Sequence, residues 1–242
     1  MMLRPAVSII IALLSASPAH AGDGIDGRFG RTEIRYIAGK PAVFHQGRSV
    51  LTVTEADEAA IFHVIPETSQ DFVVIKSRKP GLNCHNSYRL LSIQANGTVQ
   101  ASPELGDCTD LAGISFAGAN PIIHLRQSVG TKIEQLMWKD GRIIELPPAS
   151  EACFSKHEQA VEKGGRSKPQ QPGPVTAIGE GRLQFYSAPD ESCTIAGTFV
   201  VPGDHLEASH ANGRYTLVLY QHPKTAKVAA GWVESTRLKS AN

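Results

Sequence analysis

Between residues 31 and 146 no stretch sustains a helical period, and that confines the first half of the chain to β architectures. Runs rich in β-branched and aromatic residues recur at 33–38, 50–54, 60–65, 72–76, 88–94, 122–126, 133–139 and 142–146. Gly, Pro, Asn or Asp punctuates them, as expected of short strands joined by tight turns. Asn96-Gly97 and Asp140-Gly141 each read as a two-residue type I′ hairpin loop. The second predicts its own register: Lys139 opposite Arg142, Trp138 opposite Ile143 and Met137 opposite Ile144. No internal repeat of fixed length is visible.

The pattern changes at residue 150. Ser150 can cap a helix, Glu151 suits its first turn, and Cys153, His157, Ala160 and Val161 recur at helical spacing. Gly164 stands where a glycine ends a helix. From Gly164 to Pro174 the chain holds Gly, three prolines and no large apolar residue, which reads as a linker. Strand candidates then return at 183–186, 198–201, 205–208, 215–220 and 230–233. Pro202-Gly203 fits a type II turn and Asn212-Gly213 another type I′ hairpin. Five short strands in so short a span predict a small barrel closed on itself. The expected fold class is all-β. An N-terminal β domain (22–148, sandwich or barrel) is followed by a short helix and Gly/Pro linker (149–175) and a small C-terminal β-barrel (176–242).

Residues 1–21 are expected to be a secretory signal peptide. Arg4 supplies the positive start, 6–16 is apolar and uncharged, and Ala19-His20-Ala21 offers the small residues of a cleavage site. Eleven apolar residues are too few to span a bilayer core, so no membrane insertion is expected of the mature form. A periplasmic location follows. Cys84, Cys108, Cys153 and Cys193 are then an even set in an oxidising compartment. Four cysteines permit three connectivities; pairing Cys84 with Cys108 and Cys153 with Cys193 is favoured, since it closes one loop within the β-rich region and ties the helix to the C-terminal part. With 24 Lys+Arg against 23 Asp+Glu, the charge balance argues against nucleic acid as the partner.

Within 181–239, the residues Leu183, Tyr186-Ser187-Ala188-Pro189, Val201-Pro202-Gly203-Asp204, the segment 215–220, Gly231-Trp232-Val233 and Arg237-Leu238 together resemble a bacterial SH3-like (SH3b) domain. That resemblance covers about a quarter of the chain and implies a small barrel with a ligand groove. Commoner members carry an Asn and an Arg near the first strand, where this chain has Gln184-Phe185-Tyr186. Upstream, Cys84, Tyr88-Arg89-Leu90-Leu91, Asn96-Gly97-Thr98-Val99, Ser102-Pro103-Glu104-Leu105-Gly106-Asp107-Cys108 and Trp138-Lys139-Asp140-Gly141 resemble an uncharacterised secreted bacterial β domain. This second resemblance implies the bond between Cys84 and Cys108 and no activity.

Catalytic signatures fail at particular residues. There is no G-x-S-x-G elbow and no H-E-x-x-H helix, and Gly39-Lys40 is followed by Pro41 where a phosphate loop needs Ser or Thr. Glu55, Asp57 and Glu58 read as a solvated turn, and His205 and His210 as surface histidines of a hairpin. Neither a metal nor another cofactor is expected. Tyr186, Tyr220 and Trp232 are the aromatic binding candidates, Trp232 serving alternatively as the core anchor of the barrel. The expected function is non-enzymatic binding in the periplasm, with cell-wall peptidoglycan or a peptide as ligand. The alternative is an immunity or inhibitor protein that neutralises a periplasm-acting toxin or hydrolase.

Overall fold

A computed structural model describes residues 24–67, 69–79, 86–106, 108–127, 131–164 and 173–241. The expected signal peptide, Cys84 and most of the expected linker lie outside the described residues. Within them the chain is all-β apart from one α-helix and two 3-10 turns.

The N-terminal part is built from three four-stranded antiparallel meanders in chain order. The first holds β1 (Ile25–Gly27), β2 (Gly30–Ile37), β3 (Lys40–His45) and β4 (Arg48–Thr52). The second holds β5 (Glu58–Glu67), β6 (Gln70–Arg78), β7 (Asn86–Gln94) and β8 (Val99–Ala101). The third holds β9 (Thr109–Ala117), β10 (Asn120–Gln127), β11 (Lys132–Lys139) and β12 (Arg142–Ser150). They stack in series, extending the expected sandwich by a third layer. Odd-numbered residues of β6 and β7 (Val73, Ile75, Leu91, Ile93) pack on Ile34 and Val43 of the first sheet. The even-numbered Phe72, Val74, Tyr88 and Leu90 pack on Ile123, Leu125, Leu136 and Trp138 of the third. A sheet buried on both faces needs apolar residues at every position, which explains runs such as Phe72-Val73-Val74-Ile75.

The Asp140-Gly141 hairpin forms as its sequence predicts, with Lys139 opposite Arg142, Trp138 opposite Ile143 and Met137 opposite Ile144. Both loop residues have positive φ (51° and 74°), as type I′ requires. Ala38-Gly39 and Gln46-Gly47 make two further loops of this kind. The Asn96-Gly97 loop differs from expectation. Gln94 and Thr98 close a three-residue loop, and only Gly97 has positive φ. Its amide donates to the Gln94 carbonyl, giving a type I turn followed by a glycine bulge. The Asn212-Gly213 hairpin is shifted by one residue. Asn212 pairs with Tyr215, so Gly213-Arg214 is the loop, and Gly213 alone has positive φ, the type II′ pattern. Pro202-Gly203 forms the expected type II turn, with Gly203 at φ 94° and the Asp204 amide donating to the Val201 carbonyl.

Helix α1 (Glu151–Gly164) follows β12 directly, and the Ser150 hydroxyl accepts from the Cys153 amide as its N-cap. The C-terminal part is one seven-stranded antiparallel sheet: β13 (Gly173–Ala177), β14 (Leu183–Tyr186), β15 (Thr194–Val200), β16 (His205–Asn212), β17 (Tyr215–Gln221), β18 (Val228–Glu234) and β19 (Leu238–Ser240). The spatial order is β15-β14-β18-β17-β16-β13-β19. The expected closed barrel is not formed, since β15 and β19 remain edges of a curled, open sheet. The sheet curls around Phe185, Val218, Val233 and Leu183. Register shifts in β14 and β16 supply the bends.

Candidate functional site

The residues that meet between the two parts make up the most chemically distinctive region of the molecule. Helix α1 lies there with two working faces. Glu151, Phe154 and Glu158, three and four residues apart, face the third N-terminal sheet. Glu151 ion-pairs with Arg126, and Phe154 packs on Ile133 and Ala149. The helix sits so close that a Cβ added at Gly113 would lie 3.3 Å from the Phe154 ring and 3.2 Å from the Glu158 carboxylate.

The other face holds Cys153, Lys156, His157, Ala160 and Val161 and docks on the C-terminal sheet. Cys153 is bonded to Cys193, with the Cα atoms 5.7 Å apart, as expected. Cys108 is disulfide-bonded too, though Cys84 lies outside the described residues. Lys156 ion-pairs with Asp190 at 2.7 Å. The Lys156 ammonium, then the Ser192 hydroxyl and amide, hold the Asp190 carboxyl well below the usual carboxylate range. Asn212 Nδ2 donates to the Ala160 carbonyl at 3.0 Å. Ala160 and Val161 cover Tyr215, Leu217 and Trp232, with Tyr186 packed alongside.

Trp232 is 0% exposed, so its side chain lines no free surface. Nor does it anchor the interior of the small sheet, which is built on Phe185 and Val218. It lies on the opposite face, under α1, where its Nε1 donates to His157 Nδ1 at 3.0 Å. That bond places the proton of a neutral His157 on Nε2, which has no partner. His124 from β10 stacks obliquely against this ring, with centroids 5.4 Å apart, and its Nε2 meets Ser115 Oγ at 2.8 Å. The Nδ1 of His124 is buried without a partner, and so is the Nδ1 of His210 on β16. Burial, and next the His157 ring, push His124 well below the ordinary histidine value. Burial, and next His210, bring His157 down to about 4. Burial lowers His210 as well. No group of three or more side chains able to hold a metal is assembled among the described residues.

Tyr220 lies with the interior of the curled sheet. Burial first, then the Asp204 carboxylate that its hydroxyl meets, push its phenol up. It therefore steadies the turn at Val201, whose amide also donates to Asp204. Tyr186 is the one aromatic candidate left half-buried at an accessible rim. Its ring meets Tyr215 edge-on, with centroids 5.4 Å apart. Burial, then Tyr215, Glu234 and Glu191, raise its phenol, while Arg214 opposes them. Arg214 is ion-paired with Glu191 on the same rim. Strand pairing brings Tyr186 opposite Trp232, whereas Tyr220 pairs with Leu206 and Ala229 further along the sheet. The three aromatic candidates thus do not share one surface.

The expected solvated turn is exposed and ion-paired: Glu55 with Lys79, Asp57 with Lys40 and Glu58 with Arg78. His205 is exposed and meets Thr176 Oγ1 at 3.2 Å, while His210 is half-buried and joins the junction, so the two do not act together. The buried pairing of His124 with His157 was not read from the sequence. Its available signal was a histidine inside the apolar run Ile122-Ile123-His124-Leu125 and another on the apolar stripe of α1.

These features define an antiparallel all-β protein whose two parts are strapped together by one disulfide-bonded helix. No family model, curated protein or solved structure matches the chain. No helix among the described residues is long and apolar enough to cross a membrane.

Proposed function

We propose that this chain is an exported, periplasmic, non-enzymatic binding protein whose C-terminal SH3-like unit captures a cell-wall or peptide ligand at the Tyr186 rim. The observation that carries the reading is the half-buried Tyr186, held edge-on by Tyr215 and bordered by Arg214, Glu191 and Glu234. A rigid aromatic face beside charged groups of both signs offers large contact area at low entropic cost, together with hydrogen-bonding capacity for a polar polymer or peptide. The Cys153–Cys193 bond fits an oxidising compartment.

The test is cosedimentation of the protein with purified peptidoglycan, alongside affinity capture from periplasmic extract. Retention on peptidoglycan or on a peptide, weakened in Tyr186→Ala by about 1–2 kcal/mol or more with the fold intact, is the expected outcome. Unchanged binding by Tyr186→Ala removes that rim from the account. Turnover of murein or an ester, abolished by a single substitution in a folded variant, overturns the non-enzymatic reading. A stoichiometric protein partner and no retained polymer or peptide would favour an inhibitor instead.

A further inference from the structure

Three imidazoles, those of His124 and His157 buried and that of His210 half-buried, converge where the two parts of the molecule meet, each supplied by a different element. His124 comes from β10, His157 from α1 and His210 from β16. Each has one ring nitrogen sealed from solvent without a hydrogen-bond partner. A neutral imidazole tolerates this arrangement. A charged one does not, because it needs two acceptors and a route to solvent or to an acid.

Several charged groups of the surrounding elements are engaged with partners of their own. On α1, Glu151 pairs with Arg126 of β10 and Lys156 pairs with Asp190. Glu158 of α1 lies over Gly113 on β9, and burial, its leading influence, raises it. Asp110 of β9 accepts from Asn86. The packed elements also carry Glu162 of α1, Lys132 and Glu134 of β11, Glu145 of β12, His205 and Glu207 of β16, Tyr215 of β17 and Glu234 of β18. The shifts of the three histidines are caused by burial and by one another, with no carboxylate among the causes.

We propose that His124, His157 and His210 form a proton-sensitive clasp: charging them releases α1 and uncovers the aromatic face of β17 and β18 that it holds closed. His157 is the pivot, since it touches His124 on one side and bonds to Trp232 on the other. Release is bounded, because the Cys153–Cys193 bond keeps the start of the helix attached. The sign follows from linkage. These groups charge more readily when exposed, so the closed state is fully favoured above about pH 6.5. It loses ground as the pH falls from there toward about 4, where His157 charges in the closed state. His157 shifts the balance by up to about tenfold per pH unit across that window, and the lowered His124 and His210 act in the same direction. The inference concerns the closure of the face and stands apart from the ligand taken by the Tyr186 rim.

The experiment follows amide hydrogen exchange of α1, corrected for intrinsic rates, from about pH 7 to about pH 4 in the full, oxidised chain. Trp232 fluorescence is read in parallel in a Trp138→Phe background, which removes the other of the two tryptophans. The expected result is reversible loss of α1 protection and a change at Trp232 while the strands of the second sheet stay protected. The double variant His157→Asn with His124→Gln keeps an acceptor for Trp232 Nε1 and a partner for Ser115. It should move the opening midpoint down by about one pH unit or more. An unchanged midpoint in that variant overturns the proposal. So does α1 protection that persists to about pH 4, or its loss together with every strand. Should the double variant not fold, the imidazole resonances of the unsubstituted protein decide: charging of His124 and His157 must coincide with loss of α1 protection, and charging with the helix still protected refutes the clasp.

Discussion

Gly231 shows how one side chain, or the lack of it, fixes the C-terminal sheet. A Cβ there would lie 2.8 Å from the Tyr186 carbonyl and 3.2 Å from the Phe185 ring. The glycine therefore lets β14 cross β18 closely enough to pair Tyr186 with Trp232. Gly231→Ala is expected to destabilise the protein by about 1–3 kcal/mol, read as a lower denaturation midpoint, because the obstructing atom is backbone and cannot rotate away. Asp71 plays a comparable part in the N-terminal region. Although buried, it accepts from the Arg28 amide at 2.7 Å and from Arg28 Nε at 2.8 Å, fastening the β1–β2 loop to the second sheet. The partners of Asp71 are 43 residues away, so its role could not be read locally.

At the scale of the element, α1 is the decisive piece. Its apolar spacing and its cap were legible in the sequence, and the helix forms where they placed it. What lay beyond reach was that it has two partners. Residues 153, 156, 157, 160 and 161 address one sheet and 151, 154 and 158 the other, an arrangement that depends on where the sheets sit. The disulfide closes a loop of some 40 residues. Replacing both cysteines, as Cys153→Ser with Cys193→Ser, should cost up to about 4 kcal/mol by the chain-entropy model. The thermal midpoint should fall, and hydrogen exchange should locate the first loss at α1. A uniform loss across all strands would mean the bond acts on the unfolded chain alone.

Over the whole molecule, the burial of one sheet on the next couples the parts. Ala117, Ile122, Met137 and Leu146 of the third N-terminal sheet pack on Leu219 and Ala230 of the C-terminal sheet. Met137 is fully buried in this contact. Met137→Ala should cost about 2–5 kcal/mol through lost burial and the cavity left behind. Because the contact spans both parts, strands from each should lose exchange protection together in the variant. Protection lost only in the N-terminal strands would show that the two parts unfold independently. Strand β9 illustrates why the interface escaped sequence reading. Its run Asp110-Leu111-Ala112-Gly113-Ile114-Ser115 alternates weakly and includes a glycine, yet it forms nine residues of strand between the second sheet and α1.

The sequence by itself determined the all-β class, most of the strands, helix α1 with its cap and the register of the Asp140-Gly141 hairpin. Each depends on neighbours within a few residues, where periodicity, turn conformation and capping act. It left undecided that the meanders stack in three layers, that the C-terminal sheet stays open, and that Trp232 lies beneath α1 rather than in the interior of its own sheet. An apolar residue on either face of a strand reads alike until the layer that covers each face is in place. The histidine junction belongs to the same class, because His124, His157 and His210 are far apart in the chain and acquire their shared burial only when β10, α1 and β16 are brought together. Local chemistry chose the elements, and burial of both faces of the sheets chose their partners.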